Sequence, residues 1–149
     1  MKKHQYFLLL FLLINFAAMA QNPFNFNKDH DALLVKDVNV AAAFYKDILG
    51  LEEIYNAGLG EKFRWFQLNN LVQIHLIEST DTIKPHKGVH MAINTNNLDG
   101  FMKFLKEKNV PFENWPGEFG TTNTRPDGVR QIYLQDPDGY WIEVNDNRL

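Results

Sequence analysis

Three histidines and one glutamate recur at matching places in two halves of this chain. Residues 30–55 lie over residues 90–115 without a gap, at a shift of 60. His30 falls on His90, Val38 on Leu98, Phe44-Tyr45-Lys46 on Phe104-Leu105-Lys106, and Tyr55 on Trp115. A second block sets Asn70-Leu71-Val72-Gln73-Ile74-His75 over Asp138-Gly139-Tyr140-Trp141-Ile142-Glu143. Each half therefore opens with a His and closes with a His or a Glu. Imidazole nitrogen and carboxylate oxygen are good donors for a first-row divalent metal. Two halves related by a pseudo-twofold would bring His30, His75, His90 and Glu143 to one centre. A single His on a strand is most often a satisfied core or surface residue, but four such residues at repeat-equivalent positions are poorly explained that way. The chain has no Cys, so thiolate ligands and disulfides are excluded.

The elements that would position these groups read β-α-β-β-β twice. In the first half, residues 31–36 alternate as a strand. Residues 38–49 follow as a helix, with Asp37 as N-cap, a stripe of Val40, Phe44 and Ile48, and Gly50 at its end. Strand-like runs come at 52–56, 62–68 and 72–78, the last two joined by a turn at Asn69-Asn70. After a linker over 80–88 that holds His86, the second half gives a strand at 89–95. A helix capped by Asn97 carries Leu98, Phe101 and Leu105, and a short extended piece spans 111–115. A Gly/Pro/Thr-rich loop covers 116–128. Strands at 130–135 and 140–145 are joined by the turn Asp136-Pro137-Asp138-Gly139. Eight strands and two helices in two copies imply an α+β fold with curved sheets around a shared cleft. Side chains alternate along a strand, so each candidate ligand falls on the face away from the continuous apolar stripe. That stripe packs on the helices, and the ligands face the cleft.

Composition bounds the setting. Lys2 and Lys3, the apolar run 6–14 and the small-x-small pattern Ala18-Met19-Ala20 read as a signal peptide over residues 1–20, leaving Gln21 first. His4 belongs to that segment. An exported, periplasmic or secreted protein follows, with no membrane attachment after cleavage. Residues 21–28 read as a flexible polar leader, and 29–147 as one domain built from modules 29–79 and 88–147. Lys2 and Lys3 are the only charged side chains in the signal, apart from any charge on His4, so cleavage takes the net charge from −3 to −5. That argues against nucleic acid or an anionic membrane surface as partner. Twelve Phe among the aromatics suit a packed core and an apolar pocket.

At Phe44-Tyr45-Lys46-Asp47-Ile48-Leu49-Gly50-Leu51 and Asp136-Pro137-Asp138-Gly139-Tyr140-Trp141-Ile142-Glu143 the chain resembles the vicinal oxygen chelate superfamily, which includes glyoxalase I, extradiol dioxygenases, and fosfomycin and bleomycin resistance proteins. The likeness covers about residues 29–147 and is nearest in layout to glyoxalase I. It implies paired βαβββ modules around a metal-binding cleft. It also implies one divalent ion (Zn, Ni, Co, Mn or Fe) on His30, His75, His90 and Glu143, and a homodimer. Glyoxalase I typically has a carboxylate where this chain has His75, which leaves the site one negative charge poorer. The shared chemistry is chelation of two adjacent substrate oxygens and stabilisation of an enolate or similar oxyanion. An exported, metal-dependent, glyoxalase-like lyase or isomerase acting on a small molecule is therefore the first expectation, with Glu143 as both ligand and proton carrier. The alternatives are a ring-cleaving dioxygenase or resistance-type transferase, favoured if His75 stays off the metal, and a non-catalytic small-molecule binder. Arg125 and Arg130 are candidate anchors for a substrate anion. Trp115 and Phe119, with Trp65 and Phe66, are candidate pocket walls.

Overall fold

The computed structural model describes residues 24–148. The expected signal over 1–20, and the leader as far as residue 23, lie outside the described residues. Two modules follow one another. The first runs β1 (His30–Val35), α1 (Val38–Asp47), β2 (Glu52–Ile54), β3 (Phe63–Gln67) and β4 (Gln73–Glu78). The second runs β5 (His90–Asn94), α2 (Leu98–Glu107), β6 (Phe112–Glu113), β7 (Asn123–Thr124), β8 (Arg130–Gln135) and β9 (Trp141–Asn145). The sheet orders are β1-β4-β3-β2 and β5-β9-β8-β6, with β1–β4 and β5–β9 parallel and the remaining neighbours antiparallel. This is the paired βαβββ, α+β architecture expected from the repeat. The short β7, paired with β8, falls inside the stretch read as a loop. Two residues carry too little periodicity to be seen in sequence.

Both helices begin and end alike for the same physical reasons. The Asp37 carboxylate accepts from the Asn39 and Val40 amides, and the Asn97 side chain accepts from the Gly100 amide. These bonds satisfy orphan donors of the first turn. Beyond each helix the chain turns through a left-handed residue, Gly50 (φ 69) and Asn109 (φ 55). The buried face of α1 is Val38, Ala41, Ala42 and Tyr45. The stripe drawn through Val40 is therefore corrected, since Val40 is exposed. The alanines let the helix lie close to the sheet and turn its Tyr45 side inward.

Each sheet buries one face on its helix. Phe66, Ile74 and Leu76 pack with α1, while Ile132, Leu134, Ile142 and Val144 pack with α2. Phe44, Leu49 and Met91 touch both clusters, so the modules share a continuous apolar seam. Polar bonds reinforce it. The Tyr45 hydroxyl donates to Asp136 (3.1 Å), the Lys36 amide donates to Asp138 (2.9 Å), and the Tyr140 hydroxyl donates to the Leu34 carbonyl (3.1 Å). The motif Asp136-Pro137-Asp138-Gly139 is thus a clasp between the second module's turn and the first module's β1 and α1.

Candidate metal centre

The faces left uncovered by the helices carry the candidate ligands, in repeated register. In the first sheet His30 pairs with Gln73, Ala32 with His75, and Trp65 lies opposite His75. In the second, His90 pairs with Trp141, Ala92 with Glu143, and Tyr133 lies opposite Glu143. Each module therefore sets an opening His, a closing ligand two residues further along the neighbouring strand, and an aromatic ring across from it.

Within one chain these groups form two pairs rather than one centre. Among the described residues, no three of His, Asp and Glu stand close enough to hold a metal ion. His30 and His75 stack on the first sheet, ring centroids 4.1 Å apart. His90 Nε2 lies 3.2 Å from Glu143 Oε2 on the second.

The His90–Glu143 half is the more fully built. His90 Nδ1 lies 2.7 Å from the Lys87 carbonyl. The Lys87 carbonyl at Nδ1 and the Glu143 carboxylate at Nε2 both only accept, so the ring donates to one of them or, doubly protonated, to both. With its proton on Nδ1 the ring sets the Nε2 lone pair beside the Glu143 carboxylate, a donor set that fits a divalent cation. Glu143 is held rigidly: Tyr133 donates to Oε2 (2.7 Å), Asn145 donates to Oε1 (2.6 Å), and Arg125 stands 3.5 Å from Oε1. Both carboxylate oxygens of Glu143 thus accept hydrogen bonds. Burial, followed by the bond to Glu143, raises the Tyr133 hydroxyl well above its usual range and keeps it a donor.

The first half repeats part of this design. His30 Nδ1 donates to Asp29 at 2.5 Å, which again frees Nε2. Such outer partners fix ring orientation and raise ligand basicity. His75 differs. Its Nε2 bonds the Gln73 side chain (2.9 Å), and its ring is sandwiched between Trp65 (3.9 Å, 3°) and His30 (13°). Burial, then the neighbouring His30, pushes its pKa down and keeps the ring neutral. Near-parallel rings project their lone pairs in parallel planes, so His30 and His75 do not converge on one ion in this arrangement.

Other expected site residues divide. Trp115 lies beside His90 and Tyr133, with centroids at 6.4 and 5.5 Å. Phe119 lines a small crevice with Tyr133 and Trp141, and Arg125 reaches Glu143. Arg130 does not join them. It alternates with Gln131 and Tyr133 along β8, and its guanidinium is taken up by Asp99 and Asp146, the bonds that hold its pKa high. Phe66 is core, packed by Tyr45. Sequence reading missed Lys87, Asp29, Gln73 and Tyr133 as partners of the ligands. Tyr133, on the strand face across from Glu143, and Gln73, on the same strand face as His75, carried a signal in the period of two. Gln131, on the same face as Tyr133, has a buried side-chain oxygen with no hydrogen-bond partner.

Comparison with known proteins agrees with this architecture. Residues 28–144 match the Glyoxalase/Bleomycin resistance protein/Dioxygenase superfamily model, and the chain belongs to that superfamily. The uncharacterised protein YwbC of Bacillus subtilis (strain 168) is 27% identical over 122 residues, which cover 77% of this chain and 93% of YwbC. Among solved structures, the oxidase ChaP-H2 superposes with a TM-score of 0.70 at 24% identity, covering 83% of this chain and 95% of that one. The fosfomycin resistance protein FosX of Listeria monocytogenes gives 0.66 at 25%, covering 83% and 95%. A lactoylglutathione lyase of Agrobacterium tumefaciens gives 0.62 at 21%, covering 81% and 93%. Relatives on this fold thus include enzymes of more than one reaction class.

Proposed function

We propose that this protein is a metal-dependent enzyme that takes a small molecule through two adjacent oxygen atoms, with His30, His90 and Glu143 as its ligands. We favour an oxygen-dependent reaction, such as ring cleavage of a catechol-like substrate. A divalent ion held by His30, His90 and Glu143 would supply Lewis-acid stabilisation of charge on two adjacent substrate oxygens and would support chemistry with dioxygen. The protein's own residues do the rest. Asp29 and Lys87 orient the two imidazoles, and Tyr133 and Asn145 fix the carboxylate. Arg125, itself paired with Asp127, adds positive charge beside it, and Trp115, Tyr133 and Trp141 offer flat walls to a planar substrate.

The observation that carries this reading is the orientation of His75, bonded to Gln73 and stacked on His30. Metal analysis of wild type and His75→Ala, with oxygen uptake on catechols, tests it. Metal retained in the variant and uptake in both support it. Loss of metal in the variant favours the second reading, a four-ligand lyase or isomerase. That reading is supported by His75 holding the register position that Glu143 holds in the other module. No metal after reconstitution would leave a small-molecule binder.

Because one chain offers the ligands as two pairs, we take the site to be completed by a second copy of the chain. The exposed Val89, Trp115 and Phe119 suit a covered face. Sedimentation as a clean monomer would sink this arrangement. Export is part of the proposal, and an N-terminus at Gln21 in the protein recovered from cells tests it.

A further inference from the structure

We propose that Lys87, in the linker between the modules, is a positioning residue that fixes which ring nitrogen of His90 carries the proton. The inference rests on the reading of His90 as a ligand. A linker lysine ordinarily runs out into water, because ordering so flexible a side chain is costly. Lys87 does not, since its side chain is only 17% exposed. Its three N–H donors are matched by Glu113 Oε1 (2.7 Å) and the carbonyls of Asn114 (2.6 Å) and Trp115 (3.0 Å). The ammonium also lies 4.8 Å from the Tyr133 ring centroid, 5.0 Å from that of Trp141 and 5.7 Å from that of Trp115.

The consequence falls on the backbone of the same residue. The Lys87 carbonyl accepts from His90 Nδ1 at 2.7 Å. A doubly protonated ring would donate to both acceptors around His90, whereas a neutral one has a single proton for two claimants. On Nδ1 that proton bonds this carbonyl and leaves the Nε2 lone pair free beside Glu143. On Nε2 it would bond Glu143, 3.2 Å away, and close the ligand atom. A carboxylate is the stronger acceptor in general, so a loose linker would lose that contest. The anchored side chain holds the carbonyl at short range, and Tyr133 already donates to the Glu143 oxygen in question. The rings around the ammonium are those that frame the site: Tyr133 holds Glu143, and Trp141 is the strand partner of His90.

The test compares wild type with Lys87→Met, with Lys87→Met/Glu113→Gln (so that Glu113 is not left unpaired) and with Lys87→Arg. Nitrogen-15 shifts of the neutral His90 ring are read in metal-free protein, and Zn affinity is read by chelator competition. Wild type and Lys87→Arg are expected to carry the proton on Nδ1. Both Met variants are expected to move it to Nε2, with Zn binding weakened about 10- to 100-fold and an unchanged circular dichroism spectrum. A wild-type ring protonated on Nε2 overturns the proposal, and that measurement stands even if a Met variant fails to fold. So does weaker Zn binding with the proton still on Nδ1, because Lys87 would then act through stability alone. A tautomer shift in a protein that binds no Zn supports the positioning role and removes only the ligand reading.

Discussion

Replacing Tyr45 with Phe removes one hydroxyl and isolates the buried bond that clasps the two modules. Tyr45 is wholly buried and donates to Asp136 Oδ2 at 3.1 Å, and Asp136 is 5% exposed. Asp136 Oδ1 is satisfied by the amides of Asp138 (3.0 Å) and Tyr140 (2.8 Å), so the turn itself would survive. A hydrogen bond to a charged group contributes about 1.5–3 kcal/mol, and an orphaned buried acceptor costs a similar amount. We expect a loss of about 1.5–3 kcal/mol near neutral pH, or roughly 5–10 °C in Tm for a domain of this size.

The pH dependence gives a sharper check. Burial pushes the Asp136 carboxyl above its ordinary value of 3.8, against the bonds from Tyr140, Tyr45 and Asp138 that pull it down. A group raised in the folded state binds its proton more tightly there than when unfolded. Its stabilising share is therefore present below the ordinary value and is lost as pH rises through the folded one. Removing the Tyr45 bond raises the folded value further and prolongs that loss. Urea unfolding across pH should show Tyr45→Phe close to wild type in acid and diverging from it as pH rises. In an Asp136→Asn background the same change should cost less. A penalty below about 0.5 kcal/mol near neutrality, or one that stays constant with pH, would refute the clasp.

Three further outcomes follow from the site. Tyr133→Phe should weaken metal binding about 10-fold by freeing Glu143 Oε2, with little change in Tm; unchanged affinity in a metal titration would show that the bond does not orient the ligand. His30→Ala and Glu143→Ala chains, each inactive, should regain activity when unfolded and refolded together, because a mixed dimer holds one intact site. No recovery, despite mixed dimers on a native gel, would place the site within one chain. Arg130→Ala should leave metal content and substrate KM unchanged and lower only thermal stability, since its partners are Asp99 and Asp146; a KM effect would return Arg130 to the site.

The repeat and the strand period carried most of the fold. Caps at Asp37 and Asn97, the strand at Arg130–Gln135 and the ligand-bearing faces were legible because each follows from local chemistry or from a period of two. Val40 misled, because hydrophobicity alone does not reveal which side of a helix lies closest to a sheet. Two alanines decided that, by allowing close approach. Arg130 misled for a related reason: an Arg near a candidate site looks the same in sequence whether it is free or already paired.

Residue types and spacing by themselves determined the superfamily, the two-module layout and the sheet faces on which His30, His75, His90 and Glu143 stand. Only the tertiary structure decided how those four are distributed and which atoms are available. Long-range placement set His75 between Trp65 and His30, bonded Gln73 to it, brought the Lys87 carbonyl to His90, and left the two pairs on separate sheets of one chain. Strand alternation fixes the face of a side chain, whereas the direction of a lone pair depends on neighbours contributed by distant parts of the sequence.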